Sequence, residues 1–258
     1  MPAFKGLRRE RKPGGRKLTY SLMLLCLAAY VFELLYSMTY GSAAMSQLFH
    51  DYGFSLSSFL DGKFWTPVTS IFLHASPDHL VLNLIALFFF GSVIEENMGK
   101  AKFLLIFFTS AFVGTAAVAA CTLLGIMPAG VPTIGASAAI FGLMGTAMLV
   151  KPFEMVFYPY IIPVPLIMVA LIYTLYNVGA FIAMVATGVE TEVAYAAHIG
   201  GLLSGAFFGF REEGAKRSVM VLLLILIMLL LIPLFYSFLD YLRIFDYMDA
   251  LAQVFGKV

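Results

Sequence analysis

Four polar residues stand inside apolar stretches of this sequence: His79, Asn83, Ser137 and His198. Polar side chains within a membrane-crossing helix are costly and are functional candidates by default. A serine hydroxyl becomes a nucleophile only beside a base that takes its proton, and an imidazole does this near neutral pH. His79 and Asn83 stand at i and i+4, one above the other on a single helix face. His198 falls about five residues into its apolar stretch, roughly 8 Å along the axis of a helix, and Ser137 falls in the first turn of another. Each also has a structural reading. A serine in an apolar helix bonds the carbonyl four residues back, a lone histidine is a packing residue or proton relay, and His79 with Asn83 can bridge helices. Against those readings stands one coincidence: four polar residues from three helices share a similar depth in one leaflet.

Positioning them requires a membrane bundle. Of the 258 residues, 61% are apolar and 12% charged, against about 45–50% and 25% in a soluble domain. The chain lacks the charge to cover a soluble globule, and its apolar content excludes disorder. A net charge of +1, with no basic patch beyond residue 17, argues against a nucleic-acid partner. Cys26 and Cys121 both sit in apolar runs, so neither a disulfide framework nor a cysteine metal site is expected. About 20 apolar residues cross a hydrocarbon core roughly 30 Å thick. Seven stretches qualify: 18–38, 79–98, 103–125, 135–150, 160–184, 193–210 and 218–239. The first reads as a retained span rather than a removable signal peptide.

Basic residues stay on the cytoplasmic side of a span. Lys5, Arg8, Arg9, Arg11, Lys12, Arg16 and Lys17 place the N-terminus inside. Alternation then puts 13 Lys and Arg inside, the others being Lys100, Lys102, Lys151, Arg211, Lys216 and Arg217, and leaves 3 outside, Lys63, Arg243 and Lys257. The C-terminus falls outside. The long connection 39–78, also outside, mixes Asp51, Asp61 and Lys63 with Phe54, Phe64 and Trp65, the composition of a segment lying in the membrane interface.

Small residues indicate how Ser137 and His198 meet. Ala194, Ala197, Gly201, Gly205 and Gly209 recur beside His198 at helical spacing, and Ala138, Gly142 and Gly145 do so beside Ser137. Such faces let two membrane helices approach closely.

These residues resemble a known family. Gly135-Ala136-Ser137-Ala138, with Phe141 and Gly142 following, resembles the Gly-x-Ser-Gly element of rhomboid intramembrane serine proteases. Ala197-His198-Ile199-Gly200-Gly201, with Gly205, resembles their Ala-His-x-x-Gly-x-x-x-Gly element on the sixth helix, and His79 to Asn83 resembles their His-x-x-x-Asn on the second. Glu95 with Gly99, and Phe64-Trp65-Thr66-Pro67 before Phe72-Leu73-His74, are similar to weaker family features. The resemblance implies an all-α, polytopic membrane bundle: a six-helix core over 18–210, a basic cytoplasmic tail at 1–17, and one added helix with a short tail over 211–258. It implies Ser137 as nucleophile and His198 as general base, a dyad without a carboxylate. The side chains of His79 and Asn83 and the backbone N–H of Ser137 would hold the oxyanion, Phe141 would lie against the imidazole, and Gly135 and Gly201 would shape the site. The implied partners are transmembrane protein substrates and the bilayer, at a bacterial-type inner membrane, with no cofactor and no metal. His-Glu-x-x-His is absent, and His74 and His79, five apart, share no helix face.

Two residues depart from the family pattern. Ala138 stands where active members usually carry Gly, and Thr66 follows Trp65 where many carry Arg. The alternative function, a catalytically weak or inactive relative that binds membrane-protein clients, rests on the methyl of Ala138. A transporter would want polar residues through both leaflets, and the inner halves of these helices offer almost none. Glu33, inside the first span, has no role in any of these readings.

Overall fold

The computed structural model describes residues 15–156, 163–188, 194–223 and 226–227. Among the described residues the elements are helices, apart from one pair of short antiparallel strands. Helix α1 (Lys17–Tyr52) starts without a side-chain cap of its own. The carboxylate of Glu95 serves instead, accepting from the N–H of Leu18 at 3.0 Å and of Thr19 at 2.8 Å, and from the Thr19 hydroxyl at 2.9 Å. A carboxylate at a helix N-terminus satisfies orphan donors and opposes the positive end of the helix dipole. Arg16 pairs with the neighbouring Glu96.

The expected end of the first span near residue 38 is not the end of the helix. α1 bends at Gly41, where φ is 83° and ψ is 175°, a conformation that side-chain-bearing residues rarely adopt, and continues to Tyr52. The 39–78 segment then holds α2 (Leu56–Leu60) and α3 (Thr66–Thr69). It is tied together by an Asp51–Lys63 ion pair at 2.7 Å and by the Trp65 indole N–H donating to the Asp51 carbonyl at 2.8 Å. The Lys63 ammonium, helped by Gln47, holds the Asp51 carboxyl below its ordinary range. Phe54 and Thr133 exchange backbone hydrogen bonds of 2.9 and 2.7 Å, joining this segment to the chain just ahead of Ser137.

Ser76 caps the next helix through its hydroxyl, and Pro77 occupies the first turn, where its missing N–H costs nothing. This helix runs as α4 (Pro77–Ala86), a π-helical turn at Leu87–Gly91, and α5 (Ser92–Met98). Then come α6 (Lys100–Leu123), α7 (Ser137–Val150), the antiparallel strands β1 (Met155–Val156) and β2 (Val164–Pro165), α8 (Leu166–Thr187) and α9 (Tyr195–Glu213). The fifth span was expected from residue 160, but its helix begins at Leu166. Pro163 and Pro165 explain the delay, because proline lacks a donor and pushes the residue before it towards extended backbone.

Among the described residues, four helices are long and apolar enough to cross a membrane: Lys17–Tyr52, Pro77–Met98, Lys100–Leu123 and Leu166–Thr187. α7 is shorter, 14 residues, or about 21 Å, and every residue from Ala138 to Val150 is buried. In α9 the glycines, His198 and the closing Arg211 and Glu212 dilute the hydropathy. α1 and α8 present Leu24, Leu35, Met38, Ile172 and Ile182 outward, the surface a bilayer covers. The protein is thus an integral, multi-pass membrane protein. Residues from Gly214 onward form a separate unit, helical at 215–223. Most of the expected seventh span, 218–239, lies outside the described residues, as do residues 1–14 of the basic tail.

α6, α7 and α9 meet along a seam of small residues. A Cβ on Gly145 would stand 2.6 Å from the Leu202 carbonyl, and one on Gly209 2.9 Å from the Leu149 Cβ. Polar atoms in the seam are paired: Thr146 donates to the carbonyl of Gly142 or Gly205, at 3.0 and 2.9 Å, and the Ser110 and Ser204 hydroxyls meet at 3.1 Å.

Candidate active site

Ser137 is the first residue of α7, so its hydroxyl stands at a helix mouth, where the N–H groups of the first turn lack intrahelical acceptors. Its Oγ lies 2.7 Å from Nε2 of His198, one turn into α9. The Phe141 ring, one turn further along α7, is stacked on the imidazole at 4.4 Å between centroids and 7° between planes. Both contacts depend on the close approach of α7 and α9. Gly201 lies on that crossing, against the Ala138 backbone, rather than on the cavity wall.

His79 and Asn83 come from α4. Gly135, at φ 113°, carries the chain past them: a Cβ there would stand 2.7 Å from Nε2 of His79 and 3.6 Å from Nδ2 of Asn83. Only glycine lets the backbone pass so close. Asn83 also donates to the His79 carbonyl at 3.1 Å. His79, Asn83, Ser137, Phe141 and His198 line one cavity of about 500 Å³, whose other walls include Met127, Val131, Met144 and Met184. The cavity therefore combines a few convergent polar groups with an apolar lining, the usual make-up of a binding site.

Glu33 now has a partner. Its buried carboxylate accepts the backbone N–H of His74 at 3.3 Å to each oxygen. The His74 Nδ1–H donates to the Phe72 carbonyl at 3.0 Å, and its ring meets His79 edge-on at 5.0 Å. Burial pushes the His74 imidazole down to about 4, with His79 acting in the same direction. Glu33 thus braces the turn that backs His79.

Residues 61–214, more than half of the chain, match the Rhomboid domain. The chain belongs to the rhomboid family. Among curated rhomboids, it is 31% identical to the rhomboid protease AarA of Providencia stuartii over 204 residues, 75% of this chain and 71% of that protein. The rhomboid protease GluP of Bacillus subtilis is 27% identical over 215 residues, 81% of this chain and 39% of its own length. RHOMBOID-like protein 12, mitochondrial, of Arabidopsis thaliana is 28% identical over 166 residues, 60% of this chain and 48% of its own. The chain spans less than half the length of the last two. At the level of the family, rhomboids are membrane proteases.

Two features of this rhomboid were not read from its sequence. Asn177, buried on α8, places Oδ1 2.6 Å from Nδ1 of His198. The signal was present: it is the one amide side chain within the apolar run of α8, and the rule that singled out His79 and Asn83 applies to it equally. The second is the place of the Ala138 methyl: its Cβ faces Gly114 of α6, where an added Cβ would stand 2.6 Å away. What Gly201 admits is the Ala138 backbone.

Proposed function

We propose that this chain is an intramembrane serine endopeptidase, hydrolysing peptide bonds in or near the transmembrane segments of other membrane proteins. The observation that carries the reading is the 2.7 Å contact of Ser137 Oγ with His198 Nε2 on the wall of the cavity. Ser137 Oγ attacks the scissile carbonyl carbon while its proton passes to His198 Nε2. The oxygen becomes an oxyanion held by His79, Asn83 and the Ser137 backbone N–H. His198 then gives the proton to the leaving amide nitrogen, the C–N bond breaks, and an acyl-serine remains. Water, deprotonated by the same nitrogen, releases the acid and restores Ser137. Neither half-reaction draws on a metal, so activity should be insensitive to EDTA.

The proposed topology has six core spans over 18–210 and a seventh beyond 211, the N-terminus cytoplasmic and the C-terminus outside, in a bacterial-type inner membrane. It rests on the 13-to-3 division of Lys and Arg. A cysteine engineered at Asp51 should label from outside and one at Lys100 should not; external labelling at Lys100 would overturn the map.

The chemistry is tested by incubating the purified protein with a panel of single-span membrane substrates. Ser137→Ala and His198→Ala should each abolish cleavage in a folded protein, and the double variant should be no worse, because the two residues act as a unit. Substantial turnover by either single variant sinks the dyad.

A further inference from the structure

The geometry points to Asn177 as a positioning residue of the catalytic unit: its side-chain oxygen holds the proton on Nδ1 of His198, leaving Nε2 as the base that faces Ser137. The inference rests on the protease reading of Ser137 and His198.

Three contacts define the proton map. The Tyr173 carbonyl, one turn back on α8, stands 2.8 Å from Nδ2 of Asn177. A carbonyl only accepts, so the amide NH₂ must face it; the flipped amide would set oxygen against oxygen. Oδ1 therefore turns to Nδ1 of His198, 2.6 Å away. An amide oxygen also only accepts, so Nδ1 carries the proton. A neutral imidazole has one N–H, which leaves the lone pair on Nε2, 2.7 Å from the Ser137 hydroxyl that donates into it.

Among the described residues, no other contact on the ring makes that choice. Phe141 sets the plane of the imidazole but has no polar atom with which to distinguish its two nitrogens. Tyr195 meets the ring edge-on at 6.4 Å between centroids. Left to itself, a neutral imidazole prefers the proton on Nε2, and that tautomer offers Ser137 no lone pair. Asn177 is only 5% exposed, so water competes weakly for its oxygen. Once Ser137 has given up its proton, the imidazolium still donates Nδ1–H to the same oxygen. The amide dipole then stabilises the charged ring where other serine hydrolases use a carboxylate. Because Ser137, Asn177 and His198 sit on α7, α8 and α9, one hydrogen-bonded chain ties three helices to the reacting atoms.

The test reads the tautomer directly. In protein labelled with ¹⁵N-histidine, in micelles at neutral pH, the His198 signals are assigned by their loss in His198→Ala. The wild type should show a protonated Nδ1 and an unprotonated Nε2. Asn177→Leu should bring up the Nε2–H form and lower kcat by roughly 10- to 100-fold, with KM changed by less than about threefold. Asn177→Asp gives up the bond to the Tyr173 carbonyl, from which its second oxygen must turn away, but keeps an acceptor for Nδ1 and should retain Nδ1–H and most of the rate; it decides the matter if the leucine variant does not fold. Protonated Nε2 in the wild type overturns the inference. So does an unchanged tautomer and kcat in Asn177→Leu, or a folded Asn177→Asp that rescues neither. The tautomer is read without substrate, which separates the two readings: Nδ1–H governed by Asn177 in a chain that cleaves nothing sinks only the protease reading. Cleavage by a chain whose tautomer ignores Asn177 sinks only the positioning role.

Discussion

The Ala138 carbonyl oxygen stands 2.0 Å from where a Cβ on Gly201 would be, and the Gly142 carbonyl 1.8 Å from the same point on Gly205. α7 and α9 therefore touch backbone to backbone, and this lets the short Ser137 side chain reach an imidazole on the other helix. In Gly201→Ala the methyl meets backbone, which cannot rotate away, so the helices must part. Overpacking of this kind costs about 1–3 kcal/mol, and a displacement of about 1 Å at a reacting group costs about 100-fold in rate. The variant should melt lower and cleave at least about tenfold more slowly. Gly179→Ala on α8, where no described residue lies within 4 Å of the added carbon, is the control. Wild-type melting and rate in Gly201→Ala would show that the crossing does not position the nucleophile.

The Ala138 methyl faces Gly114, with the Ala197 carbonyl 2.8 Å from the same added Cβ. Ala138→Gly removes one methyl from a place already made for it and should change the rate by less than about tenfold, or 1.4 kcal/mol of barrier. Gly114→Ala should be destabilising by about 1–3 kcal/mol, and Ala138→Gly should relieve part of that cost, with a coupling of at least about 0.5 kcal/mol in a double-mutant cycle of unfolding free energies. If the wild type cleaves nothing while Ala138→Gly is active, the client-binding alternative replaces the protease reading.

What could be read from the sequence was local. The i, i+4 placement of His79 and Asn83 and the small-residue stripes beside Ser137 and His198 are properties of single helices, so spacing alone reveals them. Which neighbour each face meets is a property of the assembled bundle. The three-helix seam has α6 as well as α9 against α7, so a stripe of glycines on α9 could not disclose that the Ala138 methyl turns to Gly114 instead. Asn177 was legible as a costly polar residue but not as a partner of His198, 21 residues further on. The continuation of α1 past Gly41 was hidden because the second limb carries Ser42, Ser46, Gln47, His50 and Asp51, so the apolar run ends near residue 38 although the helix does not. The late start of α8 was written in Pro163 and Pro165 and hidden by the apolar residues around them.

The oxyanion assignment can be tested at Asn83. Its amide carries two N–H groups; one serves the His79 carbonyl at 3.1 Å, and the amide nitrogen lies beside Gly135, two residues before the nucleophile. Asn83→Ala should lower kcat by roughly 10- to 1,000-fold, the range for loss of one donor, while KM stays close to the wild-type value. Weakened binding at an unchanged rate would make Asn83 a helix-packing residue.

His74 makes stability depend on pH in a direction that can be worked out. The ring is 1% exposed, and burial holds its pKa at about 4, against 6.5 ordinarily. Between those two values the unfolded chain carries the proton and the folded chain does not. The unfolded state therefore binds more protons, and stability rises with pH across that window. The contribution is complete above about pH 6.5 and is lost as pH falls towards 4, in total on the order of 3 kcal/mol. His74→Phe removes the titration but keeps the backbone N–H that Glu33 accepts, so the acid response of Glu33 is common to both proteins and cancels in the comparison. Unfolding in micelles at pH 7 and pH 4.5 should show the wild type losing about 2 kcal/mol more than the variant. Parallel losses in the two proteins would mean that the His74 ring takes up its proton without leaving the fold, and that it does not hold the turn behind His79 in a neutral state.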